Sequence, residues 1–382
     1  MIKQIRIQNF RSIVNVTVDL DPLTVLIGRS GTGKSNFVQA IRFLRDSLNV
    51  RNMNANALGG PHRVLHVDHQ REPLDYNLRF SIAGIGESFE YSLRVNPVPA
   101  QTLEEHLKLG EKTLFHQAAG QWVHPPEVLP VPQPQAIMLG AIPGLQESTF
   151  AYVALRSGIG CYDFPGEVLT GQGNQGHPPD HGFADRGDNY LLVAERILSD
   201  LSKAHSWKQI AKSMRAVNRT ASTLTLNAPN PDRLDIGYQL NGRLLTFDVR
   251  QESEGLRRYL AQILAMYQNP SKQTLLFEHP ESGLHPGALE SLAYEFKACP
   301  RDGRGQVILT THSPQLLDYF PPESLRVVDV ENLETRIGPV APEQMESLRE
   351  RLLQPGELLT VDPARLPGHL AEGPNEPLGA AR

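Results

Sequence analysis

Apolar and polar residues alternate from the start of the chain. Ile2, Ile5 and Ile7 mark IKQIRIQN at 2–9, and Val14, Val16, Val18 and Leu20 line one face of 14–20. A period of two predicts a pair of strands. Asp21-Pro22 supplies a turn, and LTVLI at 23–27 is a continuous apolar run, as expected of a strand buried on both faces. The period then becomes helical, with Phe37, Ile41 and Leu44 recurring in NFVQAIRFLRDSL. LDYNLRFSIAG and ESFEYSLRV predict an antiparallel pair inside a stretch, 51–183, whose Gly- and Pro-rich segments 124–134 and 171–182 predict loops. This stretch is expected to be the least regular part.

Helices are expected over 188–219, and strands in TLTLN, RLDIGYQL and RLLTFDV between 223 and 249. A helix is expected over 252–268, with Leu256, Leu260, Ile263 and Leu264 inward. Two further apolar strands end in chemistry: LLF at 275–277 delivers Glu278, and QVILTT at 306–311 delivers His312. A helix is expected near 286–298 between them. After about 340 the chain turns polar and is expected to end in a tail.

Segment 28–35, GRSGTGKS, fits G-x-x-x-x-G-K-[ST]. Strand before and helix after are the context this phosphate-binding loop requires. Gly28, Gly31 and Gly33 permit backbone N–H groups to curl around an anion, and the following helix aims its N-terminus there. Arg29, Ser30, Thr32 and Asn36 complete the loop. Lys34 supplies a charge for phosphates and Ser35 a hydroxyl for Mg²⁺, which predicts ATP and Mg²⁺ as ligands.

Mg²⁺ also needs a carboxylate near the phosphates, and Glu278 suits that role. A water attacking a phosphate needs an orienting group, for which His279 and Glu281 are both candidates; Glu281 could equally cap the following helix. His312 could hydrogen-bond a phosphate or be a satisfied structural histidine.

Five stretches stand in order: NFRS at 9–12, GRSGTGKSN at 28–36, ESEGLRRYL at 252–260, FEHPESGLHP at 277–286 and TTHSPQLL at 310–317. Together they resemble the RecF/OLD/SMC branch of ABC-type ATPases, and among these the standalone predicted AAA-type ATPases of bacteria. The resemblance implies an α/β fold: a P-loop NTPase with an ABC-ATPase-type head, a mixed central sheet, an antiparallel β lobe and a helical lobe. It also implies an ATP-dependent head-to-tail homodimer in which the phosphate loop of one chain faces the signature of the other. Ser253 and Gly255 match that signature, Arg11 the basic residue of the first-strand motif, Glu278 the Mg²⁺-linked acid and His312 the γ-phosphate histidine. His279 stands where these enzymes usually carry a catalytic glutamate, so slow hydrolysis is expected, with Glu281 a substitute. The signature reads ESEG rather than LSGG, and the family's Q-loop glutamine has no clear counterpart. The implied division is 1–50 and 251–340 for the two parts of the head, 51–183 for a loop-rich β insert, 184–250 for a helical lobe with returning strands, and 341–382 for a polar tail.

No sustained heptads suggest an SMC-type tether, and only 70 residues follow His312, without the acidic cluster of a Toprim nuclease. A transporter subunit is disfavoured by the same motif set. An ATPase acting with DNA or a partner effector, in DNA repair or anti-phage defence, is what the resemblance suggests; the alternative is a hydrolysis-poor, ATP-dependent switch or scaffold that regulates a partner protein.

The remaining numbers refine this. A net charge of −5 and a pI near 6.2 argue against a generally basic nucleic-acid binder. Any DNA contact must be local, and Lys208, Lys212, Arg215 and Arg219 would form one basic stripe on a helix, as would an ordinary solvated face. Cys161 and Cys299 stand far apart in no metal-like spacing, which points to a reducing cytoplasm. No apolar run approaches about 18 residues, so no membrane contact is expected. His62, His66 and His69 around Asp68 are ligand types, at a spacing that suits a loop as well as a metal site.

Overall fold

Alternation, turn chemistry and continuous apolar runs build the fold that this computed structural model describes over residues 1–50, 60, 63–97, 100–126, 136–142, 144–169, 182–200, 204–218, 220–226 and 233–368. The chain opens with β1 (Ile2–Phe10), β2 (Ile13–Asp19) and β3 (Leu23–Ile27), followed by α1 (Lys34–Val50). Next come β4 (Leu74–Ser81), β5 (Ser88–Pro97), β6 (Ala100–Leu109), β7 (Lys112–Ala118) and β8 (Gln121–His124), then α2 (Gln146–Arg156) and β9 (Ile159–Tyr162). Helices α3 (Tyr190–Ser199) and α4 (Ala204–Val217) precede β10 (Ala221–Leu226), β11 (Leu234–Leu240) and β12 (Arg243–Asp248). The last part holds α5 (Glu254–Tyr267), β13 (Thr274–Glu278), α6 (Pro286–Arg301), β14 (Gln306–Thr310), the short α7 (Pro314–Leu317), β15 (Leu325–Glu331), β16 (Glu334–Gly338) and α8 (Pro342–Arg349).

Among the described residues these strands make three sheets. The central one runs β16-β15-β3-β14-β13-β9, parallel except for β16. Parallel strands covered on both faces should be apolar throughout, and β3 and β14 are buried at every position. Successive side chains point to opposite faces and so feed two cores. Leu275 and Phe277 join Val25, Val307 and Leu309 in the core under α5 and α6, whereas Leu276, Leu26 and Ile308 join the core under α1. This layering puts the C-terminal ends of β3, β14 and β13 side by side.

The second sheet is antiparallel and runs β2-β1-β4-β5-β6-β7-β8. Residues 74–124, expected within the least regular part, are thus a continuation of the N-terminal hairpin. The expected pairing of LDYNLRFS with SFEYSLRV is present from Leu74↔Val95 to Ser81↔Ser88. Most of the expected loops at 124–134 and 171–182 lies outside the described residues. A buried carboxylate closes this lobe: Glu105 accepts from Tyr91 Oη (3.0 Å), Gln117 Nε2 (2.9 Å) and the N–H groups of Met138 (2.7 Å) and Leu139 (2.8 Å). Burial raises its pKa, and these four donors oppose that rise. Glu105→Ala leaves the donors without an acceptor, so unfolding in urea is expected to show a loss of at least ~4 kcal/mol, with Glu105→Gln recovering part of it.

The third sheet, β10-β11-β12, follows the helical pair α3–α4. On α4, Ile210 and Met214 are buried and Trp207 Nε1 donates to Leu224 O (3.0 Å), while Lys208, Lys212 and Arg215 are exposed on the other face. Arg219 lies outside the described residues.

The expectation of a polar tail from 341 needs correction. Residues 341–368 fold back on the head: Leu348, Leu358 and Leu366 are buried, Ala341 N–H donates to Arg365 O and Gly356 N–H to Asp318 Oδ1. The few leucines are spaced among charges, so composition hides an apolar seam that only docking reveals. Among the described residues no helix is long and apolar enough to cross a membrane.

Candidate nucleotide site

The phosphate loop turns where Cβ atoms do not fit. Gly28 has φ +153° and a Cβ there would stand 2.0 Å from Val328 O; Gly33 has φ +104° and a Cβ would stand 2.0 Å from Thr335 Oγ1. Alanine at either position would strain the turn and strike a neighbour. The loop's remaining members divide by exposure: Arg29, Ser30, Gly31 and Ser35 are exposed, Thr32 and Lys34 buried. Thr32 Oγ1 donates to Arg29 O (3.0 Å). Lys34 turns its ammonium into the loop, donating to Gly28 O (2.8 Å) and Arg29 O (2.7 Å). Burial holds its pKa down at about 8, against the charge of Glu281.

The first-strand motif is wired to this loop. Arg11 has φ +51°, stacks over the Phe10 ring (5.4 Å to the centroid), and donates through Nε to Arg63 O (3.0 Å) and through Nη1 to Asn36 Oδ1 (3.3 Å). Asn36 Nδ2 donates to Ser12 Oγ (2.7 Å), which shares a hydrogen bond with Thr335 Oγ1 (2.7 Å). Thr335 Oγ1 in turn donates to Thr32 O (2.9 Å). Sequence reasoning missed Thr335; nothing in its local pattern marks it.

At the end of β13, Glu278 faces α1. Its Oε1 accepts from Gln39 Nε2 (3.2 Å) and lies 3.8 Å from Arg42 Nη2, and Ser35 hydrogen-bonds the same carboxylate. Burial raises its pKa; Arg42 pulls it back and Asp163, the first residue after the adjacent β9, adds to the rise. Gln39 and Arg42 were also missed. The available signal was spacing, since they follow Ser35 by four and seven positions on one helix face.

His279 has φ +47°, a left-handed conformation costly for a residue with a Cβ. Its N–H is tied to Thr310 O and Oγ1 (3.2 Å each). Its ring lies flat on that of His312, with centroids 5.0 Å apart and planes 11° from parallel. Partial desolvation, with Lys34 and His279 nearby, lowers the His312 pKa to about 4, so that imidazole is neutral at pH 7. Glu281 does not cap α6; His285 does, through Nδ1 and Gly287 N–H. Instead Glu281 Oε1 accepts from the His312 N–H (2.9 Å), while its Oε2 is buried with no hydrogen-bond partner.

Glu278, His279, Glu281, His312 and Lys34 therefore share one edge of the central sheet. Ser253 and Gly255 do not join them through any hydrogen bond among the described residues. Ser253 caps α5, its Oγ accepting from Leu256 N–H (3.4 Å), and a Cβ on Gly255 would stand 2.6 Å from Gly283 O. The histidines weighed against a metal site have other uses among the described residues: His66 Nδ1 caps Asp68 N–H and His69 pairs with Glu72 (2.7 Å), while His62 lies outside the described residues. Among the described residues no three His, Cys, Asp or Glu side chains stand in an arrangement that could hold a metal ion.

The loop can wrap an anion, and Ser35 with Glu278 offers the two oxygens expected of a Mg²⁺ site, so the residues present fit a magnesium nucleotide. Comparison with known proteins supports nucleotide binding at the level of the family. A family model described as AAA ATPase domain matches residues 1–89, and one described as AAA domain, putative AbiEii toxin, Type IV TA system, matches residues 166–318. An Smc head bound to the C-winged helix domain of ScpA superposes with a TM-score of 0.58 at 14% identity, covering 90% of this chain and 99% of that one. The fold is that of an SMC/RecF-type ABC ATPase head. An Smc head from Pyrococcus furiosus with an extended coiled coil, bound to the C-terminal domain of ScpA, matches this head with a TM-score of 0.56 at 11% identity, covering 92% and 99%. No curated protein matches the chain. The two family matches place both parts of the head among AAA-type, ATP-binding ATPases.

Proposed function

We propose that the head is a Mg²⁺-dependent ATPase in which Glu281, rather than His279, orients the attacking water. One observation carries this reading: Glu281 Oε2 is a buried carboxylate oxygen without a hydrogen-bond partner, close enough for its charge to act on Lys34. A buried charged oxygen left unmatched is costly, and functional sites are where such costs are kept. The backbone N–H of His312 fixes the other oxygen, so the free one has a set direction. Lys34 and the loop N–H groups bind phosphate, Arg11 holds Asn36 beside them, Ser35 and Glu278 hold the metal, and His312 offers a neutral imidazole to the terminal phosphate. Mg²⁺ supplies charge neutralisation on the phosphate oxygens.

The signature of one chain faces the phosphate loop of a second in an ATP-dependent homodimer. Support comes from Ser253 and the α5 N-terminus, whose hydroxyl and N–H groups suit a phosphate and, among the described residues, make no hydrogen bond to the phosphate loop of their own chain. Light-scattering mass is expected to double with ATP and Mg²⁺ in a Glu281→Gln background. Ser253→Arg is expected to stay monomeric, and a monomer in both would overturn the dimer.

The working division keeps 1–50 and 251–340 as the nucleotide-binding parts. The head acts in the cytoplasm with DNA or a protein effector, in DNA repair or phage defence. The exposed Lys208, Lys212 and Arg215 suit a phosphate backbone, and the Smc heads of like fold carry a bound protein. A second reading, an ATP-held switch with little turnover, is favoured by His279, which puts an imidazole, on a backbone at φ +47°, where a carboxylate would follow Glu278. Steady-state hydrolysis with Mg²⁺, with and without duplex DNA, separates the two: turnover abolished by Lys34→Ala supports the enzyme, and turnover equal to that variant supports the switch.

A further inference from the structure

We infer that Arg42 is a built-in counter-ion for Glu278, a positioning residue that neutralises the acid until a divalent cation engages the same carboxylate. The inference rests on the nucleotide reading above. Helix α1 presents Ser35, Gln39 and Arg42 along one face, and all three address Glu278. The acid's side chain is 9% exposed, too buried to be left ionised without a partner. Gln39 and Ser35 bring hydrogen bonds but no charge. Arg42 brings the charge, at 3.8 Å.

Arg42 also has a second set of partners. Its Nε stands 3.3 Å from Asp185 Oδ2, a contact of charges without hydrogen-bond geometry, and its Nη2 donates to Cys161 O (3.3 Å). Asp185 is itself anchored by both terminal nitrogens of Arg45, each at 2.8 Å. A guanidinium so placed can release Glu278 and remain neutralised by Asp185. A cation bound at Glu278 would meet a carboxylate already oriented by Gln39, and Arg42 would lose one neighbour without being stranded. Arg42 and the cation thus answer the same need in two states of one site, so the loss of Arg42 should be felt mainly before the cation arrives.

The test is thermal unfolding of wild type, Arg42→Ala, Glu278→Gln and the double variant, each alone and with Mg²⁺ plus a non-hydrolysable ATP analogue. Arg42→Ala is expected to lower Tm without ligand and to regain much of that deficit with ligand, so its ligand-induced rise exceeds that of wild type by several degrees. In the Glu278→Gln background most of the Arg42→Ala deficit should disappear, because no charge remains to be neutralised. Arg42→Lys should behave close to wild type. Should Arg42→Ala fail to fold, Arg42→Gln takes its place in the same cycle. An equal Tm loss with and without ligand, persisting beside Glu278→Gln, would reduce Arg42 to a structural tie between α1 and the Asp185 segment and overturn the inference. A wild type that shows no rise with Mg²⁺ and nucleotide would instead count against the nucleotide reading, while the ligand-free double-variant cycle still decides the role of Arg42.

Discussion

Lys34→Ala is expected to bring ATP hydrolysis to background and to weaken nucleotide binding by about 10²-fold or more, the scale on which removing one aimed donor acts at an oxyanion. Lys34 is buried, and two loop carbonyls accept from its ammonium. Burial keeps its pKa at about 8, below the usual lysine range, so keeping it charged at pH 7 costs folding energy that an arriving phosphate would offset. The sign follows. Between pH 8 and the ordinary lysine value the unfolded chain holds a proton that the folded chain has lost, so this residue's contribution to stability rises with pH in that window. Unfolding measured in denaturant should show wild type gaining on Lys34→Ala from pH 8 upward. Nucleotide affinity should move the other way, falling as the ammonium deprotonates. Isothermal titration of ATP at pH 7 and pH 9 checks this; unchanged affinity in Lys34→Ala would remove the residue from the site.

Glu281→Gln carries the second large effect. Turnover is expected to fall by about 10²–10³-fold with little change in KM for ATP, as befits loss of a group that acts on the water and not on binding. Glutamine keeps the acceptor for the His312 N–H but loses the free charged oxygen, so the fold of the turn should survive. His279→Ala is expected to have the smaller effect on turnover. Its ring supports His312 by stacking, and its backbone rather than its side chain makes the bonds to Thr310. Full activity in Glu281→Gln together with a dead His279→Ala would return the water-orienting role to the histidine. His279→Glu tests the switch reading: a large gain from a near-silent wild type would mean that the position is tuned for holding ATP.

The chemistry of the site was partly legible in the chain before folding. Gly28 and Gly33 announce a turn that excludes side chains because positive φ and close backbone approach select glycine wherever they occur. Alternation in β1, β2, β4 and β5 and the apolar runs of β3, β13 and β14 likewise report which faces are buried, since side-chain period is a local property. The helical face of α1 carried Gln39 and Arg42 in plain spacing, yet nothing local said that a carboxylate 239 residues from Gln39 would meet it.

The amino-acid sequence by itself determined the strand–loop–helix with the pattern of a phosphate loop, the strand ends that deliver Glu278 and His312, and the kinship of the head, because each depends on neighbours a few residues apart. Only the tertiary structure decided whether Glu281 caps the following helix or keeps a free oxygen near Lys34. That choice rests on the backbone N–H of His312, 31 residues beyond Glu281, which engages one oxygen and leaves the other buried. It also decided that Thr335 braces the phosphate loop and that residues 341–368 are part of the head. Burial, counter-ions and hydrogen-bond partners arise between elements, and they exist only once β14 and β16 have packed beside the phosphate loop and the C-terminal segment has docked near α7.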